Sequence, residues 1–429
     1  MQSYTVTPAK RLVGEITVPG DKSISHRSLI LGSLAKGETV VRGLLRGEDN
    51  MATLNAFRLM GVPISDDGET VRISGQGLHG LKEPSDVVDC GNSGTSIRLL
   101  TGLLAAQPFF SVLSGDQYLR RRPMRRVVGP LAQMGAVIHG RDNGEKAPLA
   151  ICGRKLTGIR YDSPIASAQV KSALLLAGLY ADGETTVTEP HVSRDHSERM
   201  FAHFGADLKV IPGGVTIRGG RELAGGEIVV PGDISSAAFF IVAGLIVPGS
   251  ELLIRNVGVN PTRTGIIDIL QAMGGDIKLL DQRQVSGEPV ADLLVRASML
   301  KGIEIGGDVV PRAIDEFPVI SVAAACAAGE TVIRDARELR VKESDRIAAM
   351  AVNLRLAGVS VSEAEDGMTI QGGACFNGCR AESKGDHRIA MAMLVAGLAA
   401  SGEVTVDDTD CIATSFPTFT RLLEQVACR

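Results

Sequence analysis

Apolar runs of helical length, each followed by a small-residue turn and an alternating strand, recur along the chain. Five copies and a degraded sixth occur at residues 32–43, 177–189, 244–256, 323–336, 396–408 and 101–115. Gly-Glu-Thr or its equivalent supplies each turn, and the β-branched run after it alternates as a strand does. Because one supersecondary unit is repeated, the pattern predicts an architecture built from copies of that unit.

A second pattern interleaves with the first. Helix ends of the type Leu-x-x-Met-Gly, each followed by a short strand, recur with glycines at Gly61, Gly135, Gly205, Gly274 and Gly358. Glycine at such a place is the expected left-handed terminator of a helix. The repeated unit is therefore a helix, a strand, a helix and one or two strands, roughly 70 residues in all.

The beginning of each half of the chain also repeats, since GEITVPGDKSISHRSLI at 14–30 matches GGEIVVPGDISSAAFFI at 225–241. A chain of 429 residues exceeds the size at which one hydrophobic core stops growing. We therefore predict an α/β protein with a discontinuous domain of residues 1–20 and 229–429 and an inserted domain of residues 21–228. The active site is expected in the cleft between the domains, where ligands commonly bind.

Composition narrows the classes of function. The formal net charge of -4 gives no general basic field, and aromatic residues make up only 3%, so a nucleic-acid-binding surface is not expected. Seven scattered cysteines predict a reducing, cytoplasmic location rather than a disulfide framework. No apolar run approaches the length of a membrane span, and the scattered histidines give no metal site.

Candidate anion sites begin with VPGDKSISHRSLI, where a strand ends and a helix opens with Lys22, Ser23 and Arg27. Backbone N–H groups, the helix dipole and two cations there can converge on one anion. A helix cap with solvated charges is the alternative. The matching copy at 231–240 keeps Pro-Gly-Asp but lacks both cations, which indicates that the scaffold does not require them.

Three further segments of the first half suit anions. Small residues at 89–98, including Gly94, allow a ligand to approach the start of a helix, although a plain turn is the alternative. Five arginines fall within residues 120–126, a pattern also typical of solvated or nucleic-acid-facing surface. Ser167 opens the next apolar helix as a cap or as a donor to phosphate.

The last third repeats this arrangement of charge at the start of helices. Asp315-Glu316-Phe317-Pro318 precedes an apolar helix, and Asp386-His387-Arg388 heads another. Between them, Lys342 and Arg346 are spaced for one helix face, which is also the pattern of an exposed charged surface. Cations recurring at the beginnings of units are what a polyanion site requires.

Taken together, these strings resemble the EPSP synthase family of enolpyruvyltransferases. The LDxGN-like segment at 89–98, RPM at 122–124, DEFP at 315–318, RVKESDR at 340–346 and GDHR at 385–388 occur in the family's order and spacing, from about residue 10 to the end of the chain. The family fold comprises two domains, each of three βαβαββ units around a pseudo-threefold axis, an inside-out α/β barrel. That fold agrees with the repeats.

The resemblance implies an activity and the residues that serve it. Members of the family transfer the enolpyruvyl group of phosphoenolpyruvate to the 5-hydroxyl of shikimate 3-phosphate, without a cofactor or metal. It implies a shikimate 3-phosphate set of Lys22, Ser23, Arg27, Ser167, Ala168, Gln169, Arg194, Asp315 and Lys342. It implies a phosphoenolpyruvate set of Lys22, Gly94, Arg122, Gln169, Arg346 and Arg388.

The reaction needs an acid and a base, because C3 of phosphoenolpyruvate is protonated as the hydroxyl attacks C2. The resemblance gives these roles to Asp315, as the base near the hydroxyl, and to Glu343, aided by Lys22 and His387, as the proton shuttle at C3. Glyphosate is the implied inhibitor. We expect a monomer that binds neither nucleic acid nor membrane.

Three departures place the chain in a more divergent branch of the family. Ala168 stands where many members have serine, Thr414 stands near a usual lysine, and Arg194 stands where others offer a serine to the phosphate. These changes bear on the potency of glyphosate rather than on the reaction.

Two other functions are weighed against this one. A sister enzyme transfers enolpyruvyl to UDP-N-acetylglucosamine and carries a reactive cysteine in its loop, but no cysteine lies between Cys90 and Cys152. An RNA-binding protein of related repeat architecture would use the arginine run to bind nucleic acid. The negative net charge and the scarcity of aromatic residues argue against this alternative.

Overall fold

The computed structural model describes residues 2–428 as a mixed α/β chain. Its α-helices are α1 Lys22–Leu34, α2 Glu48–Leu59, α3 Gly94–Ala105, α4 Arg125–Gln133, α5 Arg141–Gly144, α6 Ala168–Gly178, α7 His196–His203, α8 Ile234–Ile246, α9 Gly265–Ala272, α10 Val309–Ala313, α11 Phe317–Cys326, α12 Arg346–Leu356, α13 His387–Leu398 and α14 Phe419–Val426. Short 3-10 helices span Leu119–Arg121, Arg337–Val341 and Thr409–Thr414.

The strands interleave with these helices throughout. They are β1 Ser3–Val6, β2 Arg11–Thr17, β3 Ala35–Arg42, β4 Ile64–Asp66, β5 Thr70–Gln76, β6 Val88–Asp89, β7 Phe110–Ser114, β8 Val137–Gly140, β9 Lys146–Cys152, β10 Arg160–Asp162, β11 Glu184–Thr188, β12 Asp207–Ile211, β13 Gly214–Arg218, β14 Leu223–Ala224, β15 Glu227–Val229, β16 Glu251–Gly258, β17 Asp276–Val285, β18 Glu288–Arg296, β19 Glu304–Ile305, β20 Glu330–Ile333, β21 Val361–Ala364, β22 Gly367–Gln371, β23 Cys379–Glu382, β24 Val404–Asp407 and β25 Ala427–Cys428.

The chain divides into two compact units. Unit 1 comprises the chain up to Pro19, then Pro231–Gln284 and the chain from Pro289 onward. Unit 2 comprises Gly20–Val230 together with Val285–Glu288, the tip of the β17–β18 hairpin. The sequence predicts one domain of residues 1–20 and 229–429 and a second domain of residues 21–228. That these segments fold as separate domains stays a prediction.

Unit 2 contains three sheets, ordered β14-β3-β5-β4, β6-β7-β9-β8 and β10-β11-β13-β12. In the last of these, β10 and β11 are parallel across α6, and β13 pairs antiparallel with both β11 and β12. The order of elements there is strand, helix, strand, helix, strand, strand. In the first sheet β15, from the end of the unit, pairs parallel with β3 and so completes the repeat that begins with α1.

Unit 1 also contains three sheets, ordered β17-β18-β16-β2-β25, β19-β20-β22-β21 and β1-β24-β23. Strand β2, from the beginning of the chain, pairs parallel with β16 across α8. The predicted α/β fold of repeated βαβαββ units is confirmed in both units.

Each unit buries three helices almost completely, namely α1, α3 and α6 in unit 2 and α8, α11 and α13 in unit 1. Most of them are predominantly apolar, as helices inside a core usually are, whereas α1 also buries polar residues such as His26 and Arg27. Two separate clusters of buried side chains, one in each unit, form around them. No helix among residues 2–428 is long and apolar enough to cross a membrane.

The glycines predicted to end helices do so in the left-handed conformation. Their φ angles are 85° at Gly61, 96° at Gly135, 82° at Gly205, 98° at Gly274 and 87° at Gly358. A side chain with a Cβ rarely adopts this conformation, so the sequence signal had a steric cause.

The close packing of α3 on α6 depends on Gly102. A Cβ at that position would lie 2.1 Å from the carbonyl oxygen of Ala173, which is a backbone atom and cannot turn aside. We predict that Gly102→Ala destabilises the protein by at least about 1–3 kcal/mol, the usual cost of overpacking. A lower urea midpoint of unfolding would show it.

The matched control is Gly129→Ala in α4, where a Cβ meets no heavy atom within 4 Å apart from its chain neighbours. Alanine is a better helix former than glycine, but its Cβ meets the ring of Pro130, so the two effects oppose each other and stability should change by less than about 1 kcal/mol. Equal midpoints for the two variants would contradict the role given to Gly102.

Candidate functional site

In unit 2 the predicted ligands gather at the beginnings of the three buried helices. The caps are Asp21, whose carboxylate accepts from Ile24 N, and Ser93 and Ser167, whose hydroxyls accept from Ser96 N and Val170 N. Lys22, Ser23, Gly94, Ala168 and Gln169 occupy the first turns that follow. Helix N-termini present N–H groups and a positive dipole end, so each can stabilise an anion.

Arg27 is a buried cation held mostly by neutral groups. Its Nε and Nη2 donate to the hydroxyls of Ser197 and Ser172 at 2.7 and 2.6 Å, and Nη1 donates to the carbonyl of Ser23 at 2.9 Å. Burial lowers the pKa of Arg27 to about 10, although Glu198 and other carboxylates oppose the shift. The guanidinium therefore stays charged at neutral pH.

Lys22 pairs with Asp49 of α2, with 2.5 Å between Nζ and Oδ2. Nearby, Nδ1 of His26 contacts the hydroxyl of Thr53 at 2.8 Å. Burial, followed by the charges of Lys22 and Arg27, holds the pKa of His26 well below its ordinary value. His26 is therefore neutral at physiological pH, and the positive charge of this region belongs to Lys22 and Arg27.

Gln169 is fixed on both sides of its amide. Its Oε1 accepts from Nη1 of Arg98 at 2.5 Å, and its Nε2 donates to the hydroxyl of Thr95 at 3.0 Å. Arg98 also donates to the carbonyl of Pro123 at 3.2 Å. The start of α6 is thus tied to α3 and to the segment that carries Arg122.

Gly94 lies directly beneath the guanidinium of Arg122. A Cβ at Gly94 would stand 2.6 Å from Nη1 and 2.7 Å from Cζ of Arg122. Because Gly94 has no side chain, the Arg122 guanidinium can lie against the start of α3.

Two members of the arginine run face elsewhere. Arg125 and Arg126 line a cavity of about 300 Å³ together with Tyr161 and Val170. Arg125 also forms an ion pair with Glu145 at 3.3 Å. None of the predicted ligands lines this cavity.

In unit 1 the predicted residues form one cluster around Arg346, whose side chain is 1% exposed. Its Nε lies 2.8 Å from Asp386, its Nη2 lies 2.7 Å from Glu343, and its Nη1 lies 3.3 Å from Asp315. Burial alone would lower the pKa of Arg346, but the three carboxylates, Asp386 first among them, raise it well above its ordinary value.

Further predicted side chains adjoin this cluster. Lys342 Nζ lies 3.3 Å from Oδ1 of Asp315, and Nη1 of Arg388 donates to the Asp315 carbonyl at 3.0 Å. Nδ1 of His387 lies 3.3 Å from the hydroxyl of Thr414. Acids and bases thus lie among several cations, as acid–base chemistry on a polyanion demands.

Comparison with known proteins decides the family. A sequence profile of EPSP synthase (3-phosphoshikimate 1-carboxyvinyltransferase) matches residues 6–423. The chain belongs to the EPSP synthase family. Curated relatives named 3-phosphoshikimate 1-carboxyvinyltransferase from Geobacter metallireducens and Geobacter sulfurreducens are each 76% identical over 429 residues and cover 100% of both chains.

Solved structures agree with this assignment. An EPSP synthase from Acinetobacter baumannii aligns with a TM-score of 0.90 at 50% identity, covering 100% of this chain and 98% of the other. The enolpyruvyl transferase NikO from Streptomyces tendae aligns with a TM-score of 0.78 at 18% identity, covering 98% and 96%, which indicates a shared fold. The resemblance to the EPSP synthase family is confirmed, and neither alternative function is adopted.

Several residues of these clusters were not predicted from the sequence of this EPSP synthase family member. They are Asp49 beside Lys22, Arg98 behind Gln169, and Asp386, Glu189 and Lys171 as buried charges. Acids in a first helical turn are common, so Asp49 gave no specific signal. Arg98 belongs to the 89–98 segment, but its partner Gln169 lies 71 residues away in sequence, so nothing in the sequence indicated their contact.

Arg194 is a predicted ligand that lies between two elements rather than at the start of a helix. It follows Ser193 in the segment between β11 and α7, and its charge is close enough to lower the pKa of Arg27. Among residues 2–428, no group of three or more His, Cys, Asp or Glu side chains could hold a metal ion.

Asp386 supplies the main counter-charge of Arg346, and its side chain is 0% exposed. Burial would raise the pKa of Asp386, but Arg346 more than offsets this and the pKa lies below its ordinary value. We predict that Asp386→Asn destabilises the protein at pH 7 by about 3–5 kcal/mol, because it leaves a buried cation without its principal partner. Urea unfolding at several pH values would measure this.

The pH dependence follows from the direction of that shift. A carboxyl with a lowered folded pKa adds stability above its unfolded pKa, near 3.8, and this stability is lost as pH falls through the folded pKa. The difference between wild type and variant should therefore shrink in acid. Asp281→Asn, at a side chain 71% exposed, is the control and should change little. A constant difference down to the acid limit would contradict the assignment.

Proposed function

We propose that this protein transfers the enolpyruvyl group of phosphoenolpyruvate to the 5-hydroxyl of shikimate 3-phosphate, releasing inorganic phosphate. Its close relatives carry the name 3-phosphoshikimate 1-carboxyvinyltransferase. The observation that carries the proposal is the cluster in which Arg346 contacts Asp315 and Glu343, with Lys342 and Arg388 beside it. The other product, 5-enolpyruvylshikimate 3-phosphate, leads towards chorismate and the aromatic amino acids.

Charge balance supports the assignment of substrates. Each substrate carries a phosphate and a carboxylate, and together they bring roughly five negative charges at pH 7. The proposed ligands include the cations Lys22, Arg27, Arg122, Arg194, Lys342, Arg346 and Arg388. Three helix N-termini of unit 2 add their dipoles. Such a set can hold two anions that would otherwise repel each other.

The proposed reaction is an addition followed by an elimination. The 5-hydroxyl oxygen bonds to C2 of phosphoenolpyruvate and loses its proton, while C3 gains a proton, which gives a tetrahedral ketal. Loss of a C3 proton and cleavage of the bond between C2 and the phosphate oxygen then give the enol ether and inorganic phosphate. Asp315 would accept the hydroxyl proton, and Glu343, with Lys22 and His387, would move the proton at C3.

The contacts of these acids fit a controlled proton transfer. Arg346 touches both Asp315 and Glu343, so a proton gained by one carboxyl alters the electrostatic field at the other. Lys342 also lies against Asp315 and can stabilise charge at the substrate hydroxyl. The acid and the base are therefore linked through one fixed guanidinium.

Phosphate release tests the function directly. Purified protein with phosphoenolpyruvate should release phosphate only when shikimate 3-phosphate is added, because the acceptor hydroxyl is required for attack at C2. UDP-N-acetylglucosamine or RNA in its place should give none. Release with either of these, or none with shikimate 3-phosphate, would overturn the proposal.

The catalytic carboxyls can be tested without disrupting the core. Asp315→Asn and Glu343→Gln each keep the shape of the side chain and remove a proton carrier, so kcat should fall by about 10²–10⁴. The matched control is Glu365→Gln, at a side chain 77% exposed, which should keep its rate. Near-normal turnover in either cluster variant would show that its assigned role is wrong.

Gly94→Ala tests the phosphoenolpyruvate set and the proposed binding of glyphosate. The new Cβ would displace the Arg122 guanidinium. Because glyphosate is longer than phosphoenolpyruvate, its binding should weaken more than that of phosphoenolpyruvate. We predict that the glyphosate Ki rises by a larger factor than the KM for phosphoenolpyruvate. Overpacking costs of about 1–3 kcal/mol, equivalent to roughly five- to 150-fold in an equilibrium constant, set the scale.

The Gly94→Ala measurement needs both constants for wild type and variant in one buffer. Gly129→Ala, which adds a Cβ in open space, serves as the control. An unchanged ratio of Ki to KM would show that Gly94 does not border the site of both molecules.

We further propose that the enzyme acts as a monomer in the cytoplasm, without a cofactor. All seven cysteines are free thiols, which suits a reducing compartment. Sedimentation at several protein concentrations would test the monomer.

A further inference from the structure

A buried carboxylate in unit 2, Glu189, has no place in the ligand sets above. It follows strand β11, and its side chain is 4% exposed. Its Oε1 accepts from the backbone N of Ser167 at 2.7 Å, and its Oε2 accepts from the hydroxyl of Ser193 at 2.6 Å. The same Oε2 lies 2.9 Å from Nζ of Lys171.

The negative charge of Glu189 is compensated inside the protein. Lys171 is 4% exposed and also pairs with Glu198, at 2.7 Å. Burial would lower the pKa of Lys171, but Glu198 and Glu189 more than offset this and raise it. The ammonium is therefore charged at neutral pH, and Glu189 accepts hydrogen bonds on both of its oxygens.

The hydrogen bonds of Glu189 join two irregular segments. One runs from the end of β10 at Asp162 to Ala168 at the start of α6, and carries Ser167. The other runs from the end of β11 at Thr188 to the start of α7, and carries Ser193 and Arg194. Backbone pairing holds the beginnings of the segments, where Ser163 N donates to Thr188 O and Glu189 N donates to Gly213 O, each at 2.9 Å. Beyond these bonds, the relative position of the two segments depends on contacts such as those of Glu189.

Both segments lie close to Arg27, the buried cation of this unit. Ser172 of α6 and Ser197 of α7, the helices that follow the two segments, supply the hydroxyls that hold the Arg27 guanidinium. Their own hydroxyls are 2.6 Å apart. The buried Arg27 thus links α6 and α7, the helices that follow the two segments.

We propose that Glu189 is a positioning residue that holds Ser167 and Arg194 in register for the phosphate of shikimate 3-phosphate. The inference rests on the proposed function, which assigns both residues to that substrate. Glu189 does not touch the substrate, since its two oxygens are occupied by donors from the protein. A phosphate needs its donors at fixed mutual distances, and one carboxylate bonded to both segments supplies that constraint.

Glu189→Gln tests the idea in the full-length enzyme. The amide oxygen can still accept from Ser167 N, but the amide nitrogen cannot accept from Ser193 or attract Lys171, so one segment is released. The dissociation constant of shikimate 3-phosphate, measured by calorimetry, should rise about ten- to hundredfold. The KM for phosphoenolpyruvate should change by less than about threefold, because its proposed ligands lie on other segments apart from Gln169.

Two companion variants separate positioning from other effects. Glu184→Gln, at the beginning of β11 with a side chain 53% exposed, should leave the affinities for both substrates unchanged. Glu198→Gln removes the other carboxylate of Lys171 without releasing either segment, and should weaken shikimate 3-phosphate less than Glu189→Gln does. Equal weakening by Glu189→Gln and Glu198→Gln would overturn the inference in favour of a simple charge effect.

A further variant covers the case in which Glu189→Gln does not fold. Glu189→Asp keeps the charge for Lys171 but is one methylene shorter, so it cannot span both segments, and it should weaken shikimate 3-phosphate selectively. A fall in the urea midpoint with unchanged affinity for shikimate 3-phosphate, or equal changes for both substrates, would show a purely structural role. Failure of the wild-type enzyme to bind shikimate 3-phosphate at all would instead defeat the proposed function.

Discussion

Burying a guanidinium is costly, and the way each unit compensates that cost organises its polar interior. Arg346 is surrounded by carboxylates, and Asp386 both pairs with it and caps helix α13 through Arg388 N at 3.0 Å. One acid thus neutralises a cation and satisfies a helix end. Asp315 and Glu343 belong to the same arrangement, because each contacts this buried guanidinium.

Unit 2 meets the same constraint differently at Arg27. Hydroxyls and a carbonyl hold that guanidinium, and its carboxylates act from farther away. Neutral acceptors orient a cation without neutralising it, so Arg27 retains a strong attraction for an anion. Arg346, by contrast, is already bonded to acids, which suits the proton-transfer roles proposed for Asp315 and Glu343.

The sequence predicted those features whose causes are local. Left-handed glycines such as Gly61 and Gly274 and the alternating strands revealed the repeated unit, because each has a steric or periodic signature within a few residues. The cations at helix starts were visible for the same reason. Lys342, Arg346 and Arg388 were predicted as ligands and do lie together around Asp315, although their roles stay predictions.

What the sequence did not reveal depends on contacts between distant segments. The hairpin tip Val285–Glu288 groups with unit 2 although its strands belong to unit 1. Within unit 2, Glu288 is buried, and its Oε1 lies 2.8 Å from Nδ1 of His196. From the sequence alone, a glutamate after Ser-Gly in a hairpin would be expected to be an exposed turn residue.

Glu189 gave no signal for a similar reason, since a lone acid after a strand is usually solvated. Its importance appears only when Ser167, Lys171 and Ser193 are seen to converge on it. The groups expected to touch the substrates are marked by residue type, because phosphates require cations and small residues. The groups that hold them in place are marked by burial alone. Buried charges with partners on several segments are therefore the feature by which such supporting residues can be recognised in this fold.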